Sequence, residues 1–162
     1  MPCNPYVLDA SAIIQIKADV PAPRQWDVLK RIEELVAQGT VCFPREVARE
    51  VKKDAHPDAP GVWVHGVERE IRHPLDPTDR SMQYVMRMAG AVVDLDREVN
   101  GDAQVLALAH ELREDGHQAT VVSEDFADRD KKLSVESACG LIGIPHIRLV
   151  AFLSAVAGDL MR

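Results

Sequence analysis

The 162-residue sequence predicts an α/β protein with a mainly parallel sheet flanked by helices. Short apolar runs that suit buried strands alternate with longer segments in which apolar residues follow helical spacing. Two of the apolar runs, at residues 6–8 and 119–122, also lead directly into acidic residues. Because ligands of open α/β sheets bind beyond the carboxyl ends of the strands, we expect these acids on one edge of the sheet.

The first third of the chain is predicted as strand, helix, helix, strand and helix. Residues 6–8 form the first strand, and a short helix follows over residues 11–19. The second helix is indicated by apolar residues at helical spacing, namely Val28, Ile32, Leu35 and Val36. Residues 40–43 suit a buried strand, and Pro44 can occupy the first turn of a helix that runs to about Lys53.

The rest of the chain continues this alternation after a segment rich in Pro and His. Thr78 is a suitable N-cap for one helix, and Gly116 ends the clearest one. The predicted elements are helices over 61–72, 78–89, 102–115 and 135–139, strands over 119–122 and 146–149, and a terminal helix. We expect one domain over residues 1–162, since this length suits a single compact unit.

Composition narrows the functional classes. The formal net charge of -7 argues against passive nucleic-acid binding, which normally needs a basic face. Three cysteines without paired spacing suit a reduced, cytoplasmic protein, and no apolar run is long enough to span a membrane. The sequence contains no Walker loop or Gly-x-Gly-x-x-Gly motif, which disfavours nucleotide-cofactor chemistry.

Four acidic motifs occur in a fixed order along the chain. They are Leu8-Asp9-Ala10-Ser11, residues 43–51 with Glu46 and Glu50, Gly101-Asp102-Ala103, and Val122-Ser123-Glu124-Asp125. In this order they resemble the PIN domain, a family that includes toxin ribonucleases of the VapC type. The resemblance covers nearly the whole chain, and residues 132–139 also resemble a less characterised PIN-like branch.

The resemblance implies a single PIN-like domain with a three-layer fold and the activity of an endoribonuclease that depends on Mg²⁺ or Mn²⁺. The catalytic and metal-binding residues that it implies are Asp9, Glu50, Asp102 and Asp125, with Asp128 as a further metal ligand. The toxin branch further implies an RNA substrate, a protein antitoxin that blocks the acidic site, and often a homodimer.

The chemistry of these residues agrees with that expectation. Mg²⁺ and Mn²⁺ prefer oxygen ligands, and crowded carboxylates repel each other unless a cation lies between them. A bound ion would assist the in-line attack of water on a phosphodiester and would let an acidic protein bind RNA locally. The basic residues that flank the acids could hold the RNA backbone or form a solvated surface; they are Lys52, Lys53, Arg129, Lys131 and Lys132.

Several assignments stay open at the level of sequence. Asp9 and Asp102 could instead cap helices, and Glu46 competes with Glu50 because it lies one helical turn away. PIN domains often carry a second acidic or polar residue two positions after the fourth acid, but Ala127 stands there, so that role could be taken by Asp128 or lost. Asp125 itself competes with Glu124, Asp128 and Asp130 in the same acidic loop. The number of ions is also open, and so is whether Ser11 and Ser123 orient carboxylates or cap turns.

Two other functions remain as alternatives. A catalytically degenerate PIN-like module would bind RNA or protein without cleaving it. A metal-dependent phosphatase would use Asp9 as its nucleophile, although the second acid that such enzymes usually carry two residues later is Ser11 here.

Overall fold

The computed structural model describes residues 3–55, 58–93 and 101–162. In these ranges the chain is an α/β protein, with a four-stranded, all-parallel sheet flanked by eight α-helices. The predicted fold class is therefore confirmed, and the architecture is consistent with a three-layer PIN-like fold.

The sheet is formed by short strands, and its order places the two acid-tipped strands side by side. The strands are β1 (Tyr6–Leu8), β2 (Val41–Cys42), β3 (Thr120–Val122) and β4 (His146–Ile147), in the order β2-β1-β3-β4. Leu8 pairs with Val122, so β1 and β3 end at the same level. The backbone amide of Asp9 extends this pairing by donating to the carbonyl oxygen of Val122 at 2.9 Å.

The helices follow the predicted alternation closely. They are α1 (Ala10–Asp19), α2 (Gln25–Ala37), α3 (Arg45–Ala55), α4 (Ala59–Val67), α5 (Asp79–Ala89), α6 (Gly101–Glu114), α7 (Val135–Ile142) and α8 (Leu149–Ala157). Short 3-10 helices occur at Ala22–Arg24, Glu68–Glu70, Gly90–Val92 and Gly158–Leu160. Thr78 caps α5 as predicted, because its hydroxyl accepts a hydrogen bond from the amide of Ser81.

Several predicted elements have different bounds in the structure; the helix expected over 135–139, for example, is α7 and ends at Ile142. The helix expected over 61–72 is α4, which ends at Val67 and continues only as the 3-10 turn Glu68–Glu70. The strand expected over 146–149 ends at Ile147, because Leu149 already begins α8. The amide of Leu149 is satisfied by Glu124 Oε1 at 2.9 Å, so a side chain from another segment fixes the start of that helix.

The core surrounds α6, which contacts both β1 and β3. This helix is buried on almost every side, as the full burial of Val105, Leu106 and Leu108 shows. The packing fixes the position of Asp102, in the first turn of the described helix, relative to the sheet. None of the helices in the described ranges, α6 included, has the length and apolar character needed to cross a membrane.

Candidate active site

An acidic cavity of about 370 Å³ lies beyond the carboxyl ends of β1 and β3. Its lining residues are Asp9, Ala10, Ser11, Ile14, Glu50, Asp54, Asp102, Glu124, Asp125 and Arg129. The structure thus brings together four of the acids singled out in the sequence, from four separate segments of the chain. Asp128, the fifth, is not among the lining residues.

Asp9 is the most deeply buried acid of the cavity, at 1 % exposed. It occupies the N-cap position of α1, but its side chain makes no capping hydrogen bond. Instead Oδ2 accepts hydrogen bonds from Ser11 Oγ at 2.7 Å and Ser123 Oγ at 2.8 Å. Its other oxygen, Oδ1, is buried and has no hydrogen-bond partner among the described residues. The side chain of Asp9 is therefore oriented by two serines and does not cap the helix.

The surroundings of Asp9 disfavour its charge. Burial raises the pKa of this carboxyl, the charges of Asp102 and Glu50 raise it further, and the two serine hydroxyls lower it, which leaves the pKa at about 8. Such a carboxyl is mostly protonated at neutral pH in the absence of a cation. A divalent cation beside Oδ1 would favour the ionised form, so the environment of Asp9 fits a cation ligand.

Glu50 is the second buried acid, at 5 % exposed. It projects from α3, and its Oε1 accepts a hydrogen bond from the backbone amide of Gly101 at 2.6 Å. Glu46, one turn earlier, forms an ion pair with Arg49 and does not line the cavity. Of the two glutamates that compete in the sequence, Glu50 is therefore the one that faces the cavity.

Asp102 and Asp125 share one cation from the chain itself. Lys132 Nζ donates to Asp102 Oδ2 at 2.9 Å, to Asp125 Oδ2 at 3.4 Å and to the carbonyl oxygen of Leu133 at 3.1 Å. Burial alone would lower the pKa of the Lys132 ammonium, but its hydrogen bond to Asp102 and the charges of both carboxylates raise the pKa above its ordinary value. Lys132 is therefore a charged component of the site, and its burial contradicts the alternative of a solvated surface lysine at this position.

Asp125 and Asp128 have different surroundings. Asp125 lines the cavity, and its Oδ2 also accepts a hydrogen bond from the amide of Val135 at 3.2 Å. Asp128 Oδ1 accepts from the amide of Ser134 at 2.8 Å, which holds the pKa of Asp128 below its ordinary value. As placed, Asp128 supports the turn before α7 rather than joining the four cavity acids.

The carboxylates supply the oxygen ligands that Mg²⁺ and Mn²⁺ prefer, and Asp9 Oδ1 is a buried oxygen that lacks a partner. As placed, however, no three His, Cys, Asp or Glu side chains in the described ranges are arranged to hold a metal ion. The residues fit a hard divalent cation by their chemistry. Ligation by three of them would require the side chains to move closer together.

Comparison with known families places the chain in a group whose function is not defined. A family model described as "Domain of unknown function (DUF4411)" matches residues 6–158. The chain belongs to the DUF4411 family. No curated protein matched the sequence. In this DUF4411 protein the matched residues include Asp9, Glu50, Asp102 and Asp125, so the candidate site lies within the family domain.

One lining residue of the DUF4411 protein, Asp54, was not among the candidates from sequence, and another, Glu124, was considered only as an alternative to Asp125. Asp54 follows Glu50 by one helical turn on α3, and this spacing was a signal that could have found it. Glu124 was recognised only as part of an acidic loop. Its carboxylate binds Arg148 at 2.8 Å and caps α8, and no sequence pattern indicates either contact.

Proposed function

We propose that this DUF4411 protein is an endoribonuclease that depends on Mg²⁺ or Mn²⁺ and hydrolyses RNA phosphodiester bonds at a PIN-like site. The proposal is carried by the acidic cavity, in which Asp9, Glu50, Asp102 and Asp125 converge at the sheet edge. The order of these acids along the chain also resembles the PIN domain, which supports the same activity.

A divalent cation bound in the cavity would supply electrostatic stabilisation of the charge that develops on the phosphate oxygens. Asp9 and Glu50 would hold it, since both are buried carboxylates on the cavity wall. Ser11 and Ser123 fix Asp9 through Oδ2, which leaves Oδ1 available to the ion. The mechanism needs no side-chain nucleophile, because water can attack the phosphorus directly.

A basic groove of about 310 Å³ supports RNA as the substrate. Its lining residues are Arg45, Arg49, Lys52, Glu68, Arg69 and Leu75. Three of these cations come from α3, the same helix that presents Glu50 to the cavity. Arg45 and Arg49, which are more than half exposed, pair with Asp76 and Glu46, and such exposed ion pairs contribute little and can be exchanged for phosphate contacts. Lys52 forms a partly buried ion pair with Glu68. The groove offers local positive charge to RNA in a protein of net charge -7.

The finer assignment is to the toxin of a type II toxin–antitoxin system that acts in the cytoplasm. It is supported by the resemblance to VapC-type ribonucleases. A protein antitoxin would then cover the acidic cavity, and the protein would form a homodimer. Expression with and without a short neighbouring open reading frame tests this assignment: growth arrest without the neighbour and its relief by the neighbour are expected. Growth unaffected by the protein alone would contradict it.

The activity is tested with a labelled single-stranded RNA of mixed sequence, with Mn²⁺ or Mg²⁺ and with EDTA as the metal-free control. We expect Glu50→Gln to reduce the cleavage rate by about a hundredfold or more, because a buried cation ligand loses its charge. Glu46→Gln is the matched control, since it removes an acid one turn away on the same helix. Equal rates for Glu50→Gln and wild type would contradict the proposal.

A second candidate is the catalytically degenerate PIN-like binding module. The position of Lys132 favours it, because an ammonium of the chain itself already pairs with both Asp102 and Asp125. This candidate predicts RNA binding without cleavage under all metal conditions. Hydrolysis of small phosphoesters but not of RNA would instead indicate the phosphatase.

A further inference from the structure

We infer that Lys132 takes the place of a second divalent cation, so that the acidic cavity binds a single metal ion. The inference rests on the proposed function, in which the cavity binds Mg²⁺ or Mn²⁺. It concerns which of the cavity acids remain available to that ion.

The contacts of Lys132 define the position that it fills. An ion shared by Asp102 and Asp125 would have to contact both carboxylates, and the Lys132 ammonium already does so at 2.9 and 3.4 Å. The carbonyl oxygen of Leu133 accepts the third hydrogen bond. An ammonium has three N–H donors, so all of them are engaged. The side chain is only 9 % exposed, which separates it from a mobile surface lysine.

The backbone around Lys132 is held in a tight turn. The amide of Arg129 donates to the carbonyl oxygen of Lys132 at 2.9 Å, and the amide of Lys132 donates to the carbonyl oxygen of Arg129 at 3.1 Å. Lys131, between them, has a left-handed backbone conformation with φ of 60°. The amide of Leu133 then donates to the carbonyl oxygen of Ala91 at 2.8 Å. The hydrogen-bonded turn therefore fixes the position from which the Lys132 side chain reaches the two carboxylates.

The other side of the cavity has an oxygen that no described group satisfies. Asp9 Oδ1 is buried and has no hydrogen-bond partner, whereas Asp9 Oδ2 is used by two serines. A buried acceptor that lacks a donor costs free energy unless a ligand supplies the missing contact. The single ion would therefore bind beside Asp9, while the Lys132 ammonium occupies the position between Asp102 and Asp125.

The test is the number of Mn²⁺ ions bound per chain, measured by calorimetric titration and by electron paramagnetic resonance of the free ion. Wild type should bind one ion. Lys132→Gln, which removes the charge and keeps a polar side chain, should bind two. Lys132→Arg keeps the charge and should bind one.

The outcomes separate this inference from the proposed function. Two ions on wild type, or one ion on both wild type and Lys132→Gln, would overturn the inference and leave a metal-dependent nuclease intact. No binding to any of the proteins would overturn both. Thermal denaturation in EDTA would reveal whether Lys132→Gln folds. If it does not, Lys132→Met, which also removes the charge, replaces it and should bind two ions, and one ion on Lys132→Met would overturn the inference.

Discussion

Gly101 and Glu50 form a close contact between two segments that are far apart in sequence. The amide of Gly101 donates to Glu50 Oε1 at 2.6 Å, and a Cβ at position 101 would lie 2.8 Å from the same oxygen. Any side chain at position 101 therefore requires the Glu50 carboxylate to move. Glycine at this position lets the backbone of α6 approach and orient an acid of the cavity.

Replacing this glycine should impair the site more than the fold. Gly101→Ala should weaken Mn²⁺ binding about tenfold, as is typical when a group that orients a metal ligand is lost. The melting temperature of the metal-free protein should change little, because only the end of a flexible side chain must shift. Gly66→Ala is the control, since a Cβ there meets no atom within 4 Å. Unchanged Mn²⁺ affinity in Gly101→Ala would show that Glu50 does not need this position.

The raised pKa of Asp9 predicts a pH-dependent stability for the metal-free protein. Burial and the charge of Asp102 raise this pKa from 3.8 to about 8, so the folded state favours the protonated acid. The stabilisation is complete below the unfolded-state pKa and is lost as pH rises through about 8. In EDTA, the melting temperature should therefore be lower at a pH of about 9 than at a pH of about 5.

Asp9→Asn isolates this contribution. The amide has nearly the same shape but does not ionise, so the variant should melt at least about 3 °C above wild type at a pH of about 8.5 in EDTA. Added Mn²⁺ should raise the melting temperature of wild type more than that of Asp9→Asn. If the melting temperatures of the two proteins depended on pH in the same way, this would contradict a raised pKa of Asp9.

Ser123 should affect cation binding through its hydrogen bond to Asp9. Its hydroxyl donates to Asp9 Oδ2 at 2.8 Å and accepts from the amide of Asp125 at 3.0 Å. Ser123→Ala removes both contacts and should weaken Mn²⁺ binding by about tenfold, measured by calorimetry. Ser154→Ala, at an exposed hydroxyl on α8, is the control and should bind like wild type. An equal affinity for both variants would mean that Asp9 is oriented without Ser123.

The basic groove should control RNA affinity without affecting the metal. Arg69→Ala should raise the KM for RNA several-fold and reduce the dependence of binding on salt by about one phosphate contact. Mn²⁺ affinity should not change, because Arg69 lines the groove and not the acidic cavity. Lys30→Ala on the exposed face of α2 is the control for a general loss of positive charge. An identical salt dependence for Arg69→Ala and wild type would exclude the groove as the RNA path.

The part of the site that follows strand ends could be predicted from sequence. Parallel strands end at the same edge, so Asp9 after β1 and the acids after β3 had to lie near one another. The choice between Glu46 and Glu50 could not be made in this way. Both lie on one face of α3, and the contact that distinguishes them comes from Gly101.

The role of Lys132 could not be predicted from sequence patterns, for a related reason. A lysine in a charged loop is usually solvated, and only the turn around Lys131 places this one between two carboxylates. The bounds of α8 likewise depend on Glu124, a side chain from the loop after β3. Features fixed by local periodicity were predictable, whereas those fixed by contacts between distant segments were not.

Metal-dependent RNA cleavage at the acidic cavity is tested most directly by comparing wild type with Asp9→Asn. The two proteins are purified in parallel, and their cleavage rates are measured with Mn²⁺ and with EDTA. Asp9→Asn keeps the acceptor for the two serine hydroxyls and removes the charge that the cation needs. We expect Mn²⁺-dependent cleavage by wild type, none in EDTA, and a loss of about a hundredfold or more in a folded Asp9→Asn protein. Cleavage that persists in EDTA, or equal rates for the two proteins, would contradict this expectation.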